Sequence, residues 1–265
     1  MNQTQLSNLH QIAYELSLKR AAEQSGEQFH DKYLKNPRLF RMLMRSDLQL
    51  EKGFKAYFKD LASRVPDYIN WTSFNFHKAS VIDDMIDVDW EGEKLSIKVL
   101  LTKGLVHAIA AGGQMTQEDT GIDIGWTEFD SPALDFLNKY SLKLAGDLND
   151  TTLDRIKSGI KLSLGNGESQ AEAVARLSDI IDNPARARTI AHTESVRAFT
   201  QGRLEVGRQI GANRKQWDAT IAACPICAPL DGKIVGIDKS FGDGISEPPA
   251  HPNCRCIVNI LMPNE

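Results

Sequence analysis

The sequence lacks the long apolar runs and the leader segment that mark membrane and secreted proteins. No stretch approaches about 18 consecutive apolar residues, and the most hydrophobic run, residues 99–111, is interrupted by Lys103, Gly104 and His107. The N-terminus has no basic segment followed by an apolar block, so we expect no secretory signal. Glycine and proline are too scarce for a collagen-like chain, and apolar residues make up 42% of the sequence. We therefore expect a folded protein with no membrane partner.

Motifs of several enzyme classes are also missing. The sequence has no Gly-rich phosphate loop, no Gly-x-Ser-x-Gly elbow and no His-Glu-x-x-His motif. Asp83, Asp84, Asp87 and Asp89 do not follow EF-hand spacing, which favours a solvent-facing acidic strand pair over a calcium site. We expect neither catalytic residues nor a small-molecule substrate.

Charge is distributed unevenly along the chain. The net charge of −4 gives no general attraction to nucleic acid, yet residues 31–64 sum to +5 and residues 65–130 to −8. Basic faces on the helices predicted within residues 31–64 and 184–215 are candidate contacts for DNA or for an acidic protein. The alternative for each is an ordinary solvated helix face.

Apolar spacing predicts helices over residues 4–25 and 38–63. Alternation of apolar and polar residues on either side of residues 91–93 predicts a β-hairpin within residues 66–103. A short helix should come next and end at Gly112-Gly113. From Ser131 we expect four helices, with breaks near Gly146 and Gly165 and a last start at Pro184, and then a strand-and-loop module. The predicted fold class is α+β and mostly helical.

Cysteine is absent from the first 223 residues, and then four cysteines occur between Cys224 and Cys256. Cys224 and Cys227 form a Cys-x-x-Cys pair, and His251 and Cys254 repeat that offset after 23 intervening residues. Thiolate and imidazole are the donors that Zn²⁺ prefers in a tetrahedral site. Cys224, Cys227 and Cys254 are the expected core of a zinc site, and His251 and Cys256 compete for the fourth position.

Other uses of these cysteines remain open. Two disulfides would consume all four thiols, and a Cys-x-x-Cys pair can be redox-active, although the expected βαβ context is absent. A catalytic zinc would need an open coordination position and a nearby base. Asp218 and Asp231 are near in sequence, but nothing places them at the metal. A closed, structural zinc site that holds together a small C-terminal module is therefore favoured.

The C-terminal half resembles the phage Mu F-like head morphogenesis family, the minor head proteins of tailed bacteriophages and prophages. The resemblance covers about residues 131–262 and rests on these features: Ile190-Ala191-His192-Thr193-Glu194, Arg197, Gly202-Arg203, Gly211, Trp217, Cys224-Pro-x-Cys227, Leu230-Asp231-Gly232-Lys233 and the string from Pro248 to Cys256. The string is the most specific of them. His192 departs from the pattern, because the family usually has Arg before Thr-Glu.

The resemblance implies a domain at residues 131–265, preceded by a region of unknown role at residues 1–130. It implies a non-enzymatic protein present in few copies inside the head or near the portal, and in the host cytoplasm during assembly. Its partners would be the portal and other head proteins, and it would act in DNA packaging or delivery. The alternative is a zinc-dependent hydrolase or nuclease, or a phage-delivered effector that carries this domain, for which the surplus fifth donor is the best support.

Overall fold

A computed structural model of the chain describes residues 36–75, 82–127, 131–220 and 223–263. Within these residues the chain is mostly helical. The helices are α1 (Pro37–Arg64), α2 (Trp71–Asn75), α3 (Trp90–Thr120), α4 (Ser131–Asn166), α5 (Gln170–Ile181) and α6 (Pro184–Gln209). The strands are β1 (Arg214–Asp218), β2 (Ile234–Gly236) and β3 (Ile257–Leu261), and short 3-10 turns cover Val65–Tyr68, Asp83–Met85 and Ala228–Leu230.

The strands form one small antiparallel sheet near the C-terminus, in the order β2-β1-β3. The central strand β1 pairs along its whole length with β3, from Arg214 opposite Leu261 to Asp218 opposite Ile257. This architecture confirms the predicted fold class, a mostly helical chain that ends in a strand-and-loop module.

The β-hairpin predicted within residues 66–103 is wrong. Residues 90–103 belong to α3, and the described residues before them contain short helical turns and one isolated bridge, between Ile69 and Ile86. The buried positions explain the error. Ile97, Leu101 and Leu105 are buried at helical spacing, whereas Leu95 and Val99 are exposed. The exposed apolar residues produced an alternation that imitates a strand.

Two predicted helix ends are also wrong. α3 continues through Gly112-Gly113 to Thr120, and α4 continues through Gly146, so residues 131–209 contain three helices and not four. The other boundaries are close to those predicted. α1 matches the helix at 38–63, α6 begins at Pro184, and Ser169 caps α5 in a reciprocal capping box with Glu172. The helix predicted over residues 4–25 lies outside the described residues.

The described chain divides into two compact units. The first comprises residues 36–45, 107–127 and 195–263. Within it α3 and α6 approach so closely that Gly112 and Gly202 leave no room for a side chain. A Cβ atom on Gly112 would overlap the carbonyl oxygen of Phe199, and one on Gly202 would overlap the carbonyl oxygen of Ile109. These glycines therefore permit backbone contact between two helices and do not end them.

A polar pair lies beside this crossing. Arg203 is fully buried and donates from Nη2 to Asp119 at 2.7 Å, and the Thr116 hydroxyl donates to the carbonyl oxygen of Arg203 at 3.2 Å. A buried guanidinium needs such partners because desolvation of an unpaired charge is costly.

The second unit comprises residues 46–75, 82–106 and 131–194. Its core joins the end of α1 to α4 and α5 through apolar residues: Leu61, Ala62, Val65, Ile69, Phe74, Met85, Ile156, Ile160, Ala173, Leu177 and Ile181. Two polar contacts are buried in the same unit. His192 Nδ1 lies 2.8 Å from Asp47, and the Arg186 guanidinium lies 4.5 Å from the centre of the Phe58 ring.

Among the described helices, α3 is long and apolar enough to cross a membrane by length and composition alone. Half of its most apolar 18-residue window is buried within the fold. Core helices of folded proteins meet the same criterion, so this helix is weak support for a membrane span. The absence of a membrane partner stays a prediction.

We predict that Gly112→Ala and Gly202→Ala each lower the free energy of unfolding by roughly 3 kcal/mol, because the added methyl group forces α3 and α6 apart. Gly146→Ala is the matched control. It lies inside α4, and its Cβ would meet only Lys94 Cε at 3.8 Å. This control should gain about 0.5–1 kcal/mol from helix propensity. Urea unfolding of the three variants measures the difference, and equal effects at all three positions would contradict the close crossing.

Candidate metal centre

The metal-binding candidates lie in a module built on the three-stranded sheet. α6 ends at Gln209, and the chain turns through Gly211, whose φ of 82° suits glycine, into β1. Trp217 of β1 is fully buried and packs edge-on against Phe241, with ring centroids 5.2 Å apart. The sulfur atoms of Cys227, Cys254 and Cys256 belong to the same buried cluster. The module's core is therefore partly apolar and partly made of thiols.

Two similar turns present four of the donors. The N–H of Cys227 donates to the carbonyl oxygen of Cys224 at 3.0 Å, and the N–H of Cys254 donates to that of His251 at 3.2 Å. The second turn contains Asn253 in the left-handed region, with φ of 60°. The first turn places the donors of Cys224 and Cys227 in one group, as the sequence spacing predicts, whereas His251 and Cys254 of the second turn belong to different groups.

The structure brings all five predicted donors together in two overlapping groups. Cys224, Cys227 and His251 form one group, and Cys227, Cys254 and Cys256 form the other. Within each group the donor atoms lie within 4.8 Å of one another. Cys227 belongs to both groups, so it is the centre of the cluster.

The distances between donors suit a tetrahedral metal ion. His251 Nε2 lies 3.0 Å from Cys224 Sγ and 3.4 Å from Cys227 Sγ, and the sulfurs of Cys227 and Cys254 are 3.7 Å apart. Zinc–ligand bonds of about 2.3 Å to sulfur and about 2.0 Å to nitrogen give tetrahedral edges of about 3.8 Å and about 3.5 Å. The spacings within each group of three donors therefore fit a Zn²⁺-like ion, whereas His251 and Cys254 belong to different groups.

The orientation of His251 agrees with a ligand role. Its Nδ1 lies 2.8 Å from the carbonyl oxygen of Pro252, so a proton on Nδ1 leaves the Nε2 lone pair directed at the sulfurs. Metal-ligating histidines commonly donate their second ring N–H to such an acceptor, which fixes the tautomer.

Electrostatics within the cluster favour a thiolate at one position. Hydrogen bonds from the Cys256 thiol and from backbone N–H groups lower the pKa of Cys254, although burial opposes this. The Cys256 pKa is raised because its thiol donates to Cys254, and burial raises the pKa of Cys227. A bound cation would offset these burial costs, because a coordinating thiol is deprotonated by the metal.

The carboxylates that are near in sequence engage elsewhere. Asp231 Oδ1 accepts the N–H of Ala219 at 2.9 Å, and Asp218 accepts from Asn259 Nδ2 at 2.9 Å. Among the described residues, both donor groups consist of thiols and one imidazole. The four cysteines are unbridged, and the 3.7 Å between Cys227 and Cys254 far exceeds the disulfide length of about 2.05 Å.

One polar pair near the module gives no signal in the sequence. Lys215 of β1 is buried, with its Nζ 3.9 Å from Glu247 and 5.5 Å from the centre of the Phe241 ring. Burial lowers the pKa of Lys215. Gln201 of α6 donates to the same Glu247 at 3.1 Å. A lysine in a short polar strand would normally be assigned to the surface, so only the fold reveals that this buried charge holds the loop before Pro248 against β1.

The residues around His192 that contribute to the resemblance have structural contacts. His192 lies against Asp47, and Glu194 accepts a hydrogen bond from the Tyr140 hydroxyl at 2.5 Å. Thr193 donates to the carbonyl oxygen of Thr189, one turn earlier in α6, at 2.7 Å. These side chains are buried and join α6 to other helices of the second unit.

Comparison with known proteins identifies one family. Residues 154–259 match the model of the family described as Phage Mu protein F like protein. Searches of curated proteins and of solved structures found no match. The matched segment runs from the second half of α4 into β3 and includes all five donors of the cluster. The chain therefore carries a domain of the phage Mu protein F-like family at residues 154–259.

Proposed function

We propose that this chain is a minor head protein of a tailed phage or prophage that acts in virion assembly. The observation that supports the proposal is the family match over residues 154–259. The matched segment includes α6 and the thiol-rich module, and Leu204 of α6 packs in the buried cluster of that module. Head morphogenesis is the role that the family implies. The proposed partners are the portal and other head proteins, and the proposed location is the head interior or the portal region, with packaged DNA as a further contact.

The cluster supports a structural and not a catalytic metal. Its donors are four thiols, of which three are buried and that of Cys224 is half-buried, and one imidazole. Asp218 and Asp231 hold loop and strand groups in place. A metal-dependent hydrolase needs a base close to an open coordination position. The described part of the cluster supplies no carboxylate for that role, so the hydrolase alternative gains nothing from the geometry.

We assign the metal as a closed Zn²⁺ site held by Cys224, Cys227, His251 and Cys254. His251 has short contacts to Cys224 and Cys227, and the sulfur of Cys254 lies 3.7 Å from that of Cys227. Binding of one ion by all four would draw His251 and Cys254, which belong to different donor groups, towards each other. Cys256 then acts as a hydrogen-bond donor to Cys254. When bound, the ion would crosslink the loop after β1 to the segment before β3, and so add to the apolar core around Trp217 and Phe241.

We predict that Cys227→Ser releases the metal and lowers the melting temperature by roughly 10 °C, since a loss of about 3 kcal/mol shifts a domain of this size by about 3 °C per kcal/mol. Elemental analysis and calorimetry measure the two effects. Ile226→Ser is the matched control, because Ile226 lies in the same turn with 51% of its surface exposed. Wild-type protein that contains no metal, and is equally stable with and without chelator, would refute the assignment.

The choice of fourth ligand gives a second prediction. His251→Ala should reduce metal content well below one equivalent, whereas Cys256→Ala should keep one equivalent, because Cys256 lies outside the proposed ligand set. In the Co²⁺-substituted protein, the thiolate-to-metal absorption should indicate three sulfur ligands, and Cys256→Ala should leave it unchanged. The opposite pattern, with loss of metal only in Cys256→Ala, would make Cys256 the ligand.

Purified particles test the function itself. The chain should be present in proheads and in nuclease-treated, gradient-purified phage particles at a few copies per head, as measured by quantitative mass spectrometry. A deletion of residues 154–259 should remove it from the particles, because this segment is the family domain. Absence of the full chain from proheads and particles, together with failure to bind the portal, would disprove the proposal.

The division of the chain at residue 131 is also a proposal. It places the whole of α4, α5, α6 and the sheet in one functional domain. Expression of residues 131–265 alone, with a test for a cooperative melting transition, would examine it.

A further inference from the structure

One face of α1 is an almost continuous row of cations. Seven positions at alternating three- and four-residue spacing fall within about 100° of the helix circumference and span about 31 Å. Six of the seven are basic and one is apolar: Arg38, Arg41, Arg45, Leu48, Lys52, Lys55 and Lys59. All are exposed except Arg41, which is half-buried. The first turn of α1 contains no acidic residue.

The N-terminal part of this row forms a concave surface. Arg38, Arg41, Met42 and Arg45 line an open cavity of about 570 Å³. Arg38 donates from Nη2 to the neutral amide oxygen of Gln114 at 2.6 Å. Further along, Lys55 forms an ion pair with Glu51.

The other basic helix, α6, is used differently. Arg203 is buried against Asp119, Arg186 is packed on Phe58 and bonded to Thr152, and Arg208 contacts Asp238 at 3.0 Å. These side chains are occupied within the fold. Five cations of α1 are exposed along one face, whereas α6 has two exposed arginines, Arg188 and Arg208, of which Arg208 is paired with Asp238.

We propose that this face of α1 binds the phosphate backbone of duplex DNA, with Arg38, Arg41 and Arg45 as its principal contacts. The inference depends on the proposed function only for the source of the duplex, which is the packaged genome. Guanidinium groups bond phosphate oxygens in a two-pronged geometry, and a row of cations along one helix face suits a line of phosphates. An acidic protein partner is disfavoured because stable protein interfaces need apolar or aromatic anchors, and Leu48 is the row's single exposed apolar side chain.

Binding of the purified full-length chain to a fluorescently labelled, random-sequence duplex tests this proposal. Affinity is measured by anisotropy between about 50 and 200 mM salt for wild type and for the triple variant R38Q/R41Q/R45Q. Loss of three phosphate contacts should reduce the slope of log K against log salt by about 2.7, at about 0.9 per contact, and weaken binding at least tenfold at the lower salt. R38K/R41K/R45K should keep most of the wild-type slope, because charge is retained.

The matched control is K139Q/K143Q/K161Q, which removes the same charge from exposed positions on α4. This control should change the slope of log K against log salt by less than half of the change that R38Q/R41Q/R45Q causes. Equal losses in both glutamine variants, no wild-type binding at low salt, or displacement of the duplex by polyglutamate as effectively as by unlabelled DNA would each overturn the proposal. Circular dichroism and the melting temperature should stay at wild-type values in all variants.

The two proposals fail separately. Presence of the chain in phage heads, with no effect of the arginine substitutions on DNA binding, would overturn the DNA-binding face and leave the head-protein function intact. Absence from heads, with the expected loss of salt slope in the arginine variant, would overturn the function and leave the binding face intact.

Discussion

Backbone contact between α3 and α6 is the constraint on which the first compact unit depends. Gly112 and Gly202 occupy the crossing because any side chain there would overlap a carbonyl oxygen of the other helix. The position of α6 in turn determines where the C-terminal sheet lies. Gly207 lies one and a half turns further on, against the side chain of Ile260 in β3, and Gly211 turns the chain into β1. The position of the sheet and of its thiol cluster therefore depends on α6, and α6 is held in place by close backbone packing against α3.

The C-terminal module combines an apolar core with buried thiols. Its largest buried side chains are Trp217 and Phe241, and three of its cysteines are as deeply buried as those rings. Thiols at this burial favour a metal because coordination offsets the cost of desolvating a thiolate. The buried Lys215–Glu247 contact adds a second polar link between the loop before Pro248 and the remainder of the module.

Basic residues in this chain have two distinct uses. Arg203 is buried and paired with a carboxylate, and the half-buried Arg186 contacts an aromatic ring and hydroxyl groups, whereas Arg38 and Arg45 are exposed on α1. Charge counting treats these residues as equivalent. Their energetic roles differ because a buried guanidinium must satisfy its donors internally, while an exposed one remains available to a phosphate or to water.

Local chemistry made some features predictable. The Cys-x-x-Cys and His-x-x-Cys spacings indicated four of the five candidate donors, and Cys256 was added because it lies two residues after Cys254. The helix start at Pro184 was predictable from local sequence in the same way. The error at residues 90–103, and the glycines mistaken for helix ends, had a different origin. Whether Leu95 faces solvent, or whether Gly112 ends a helix or admits another backbone, depends on residues distant in sequence. Tertiary packing also decided that Lys215 is buried and that Arg203 is not on the surface, because burial is a property of what surrounds a side chain and not of its type.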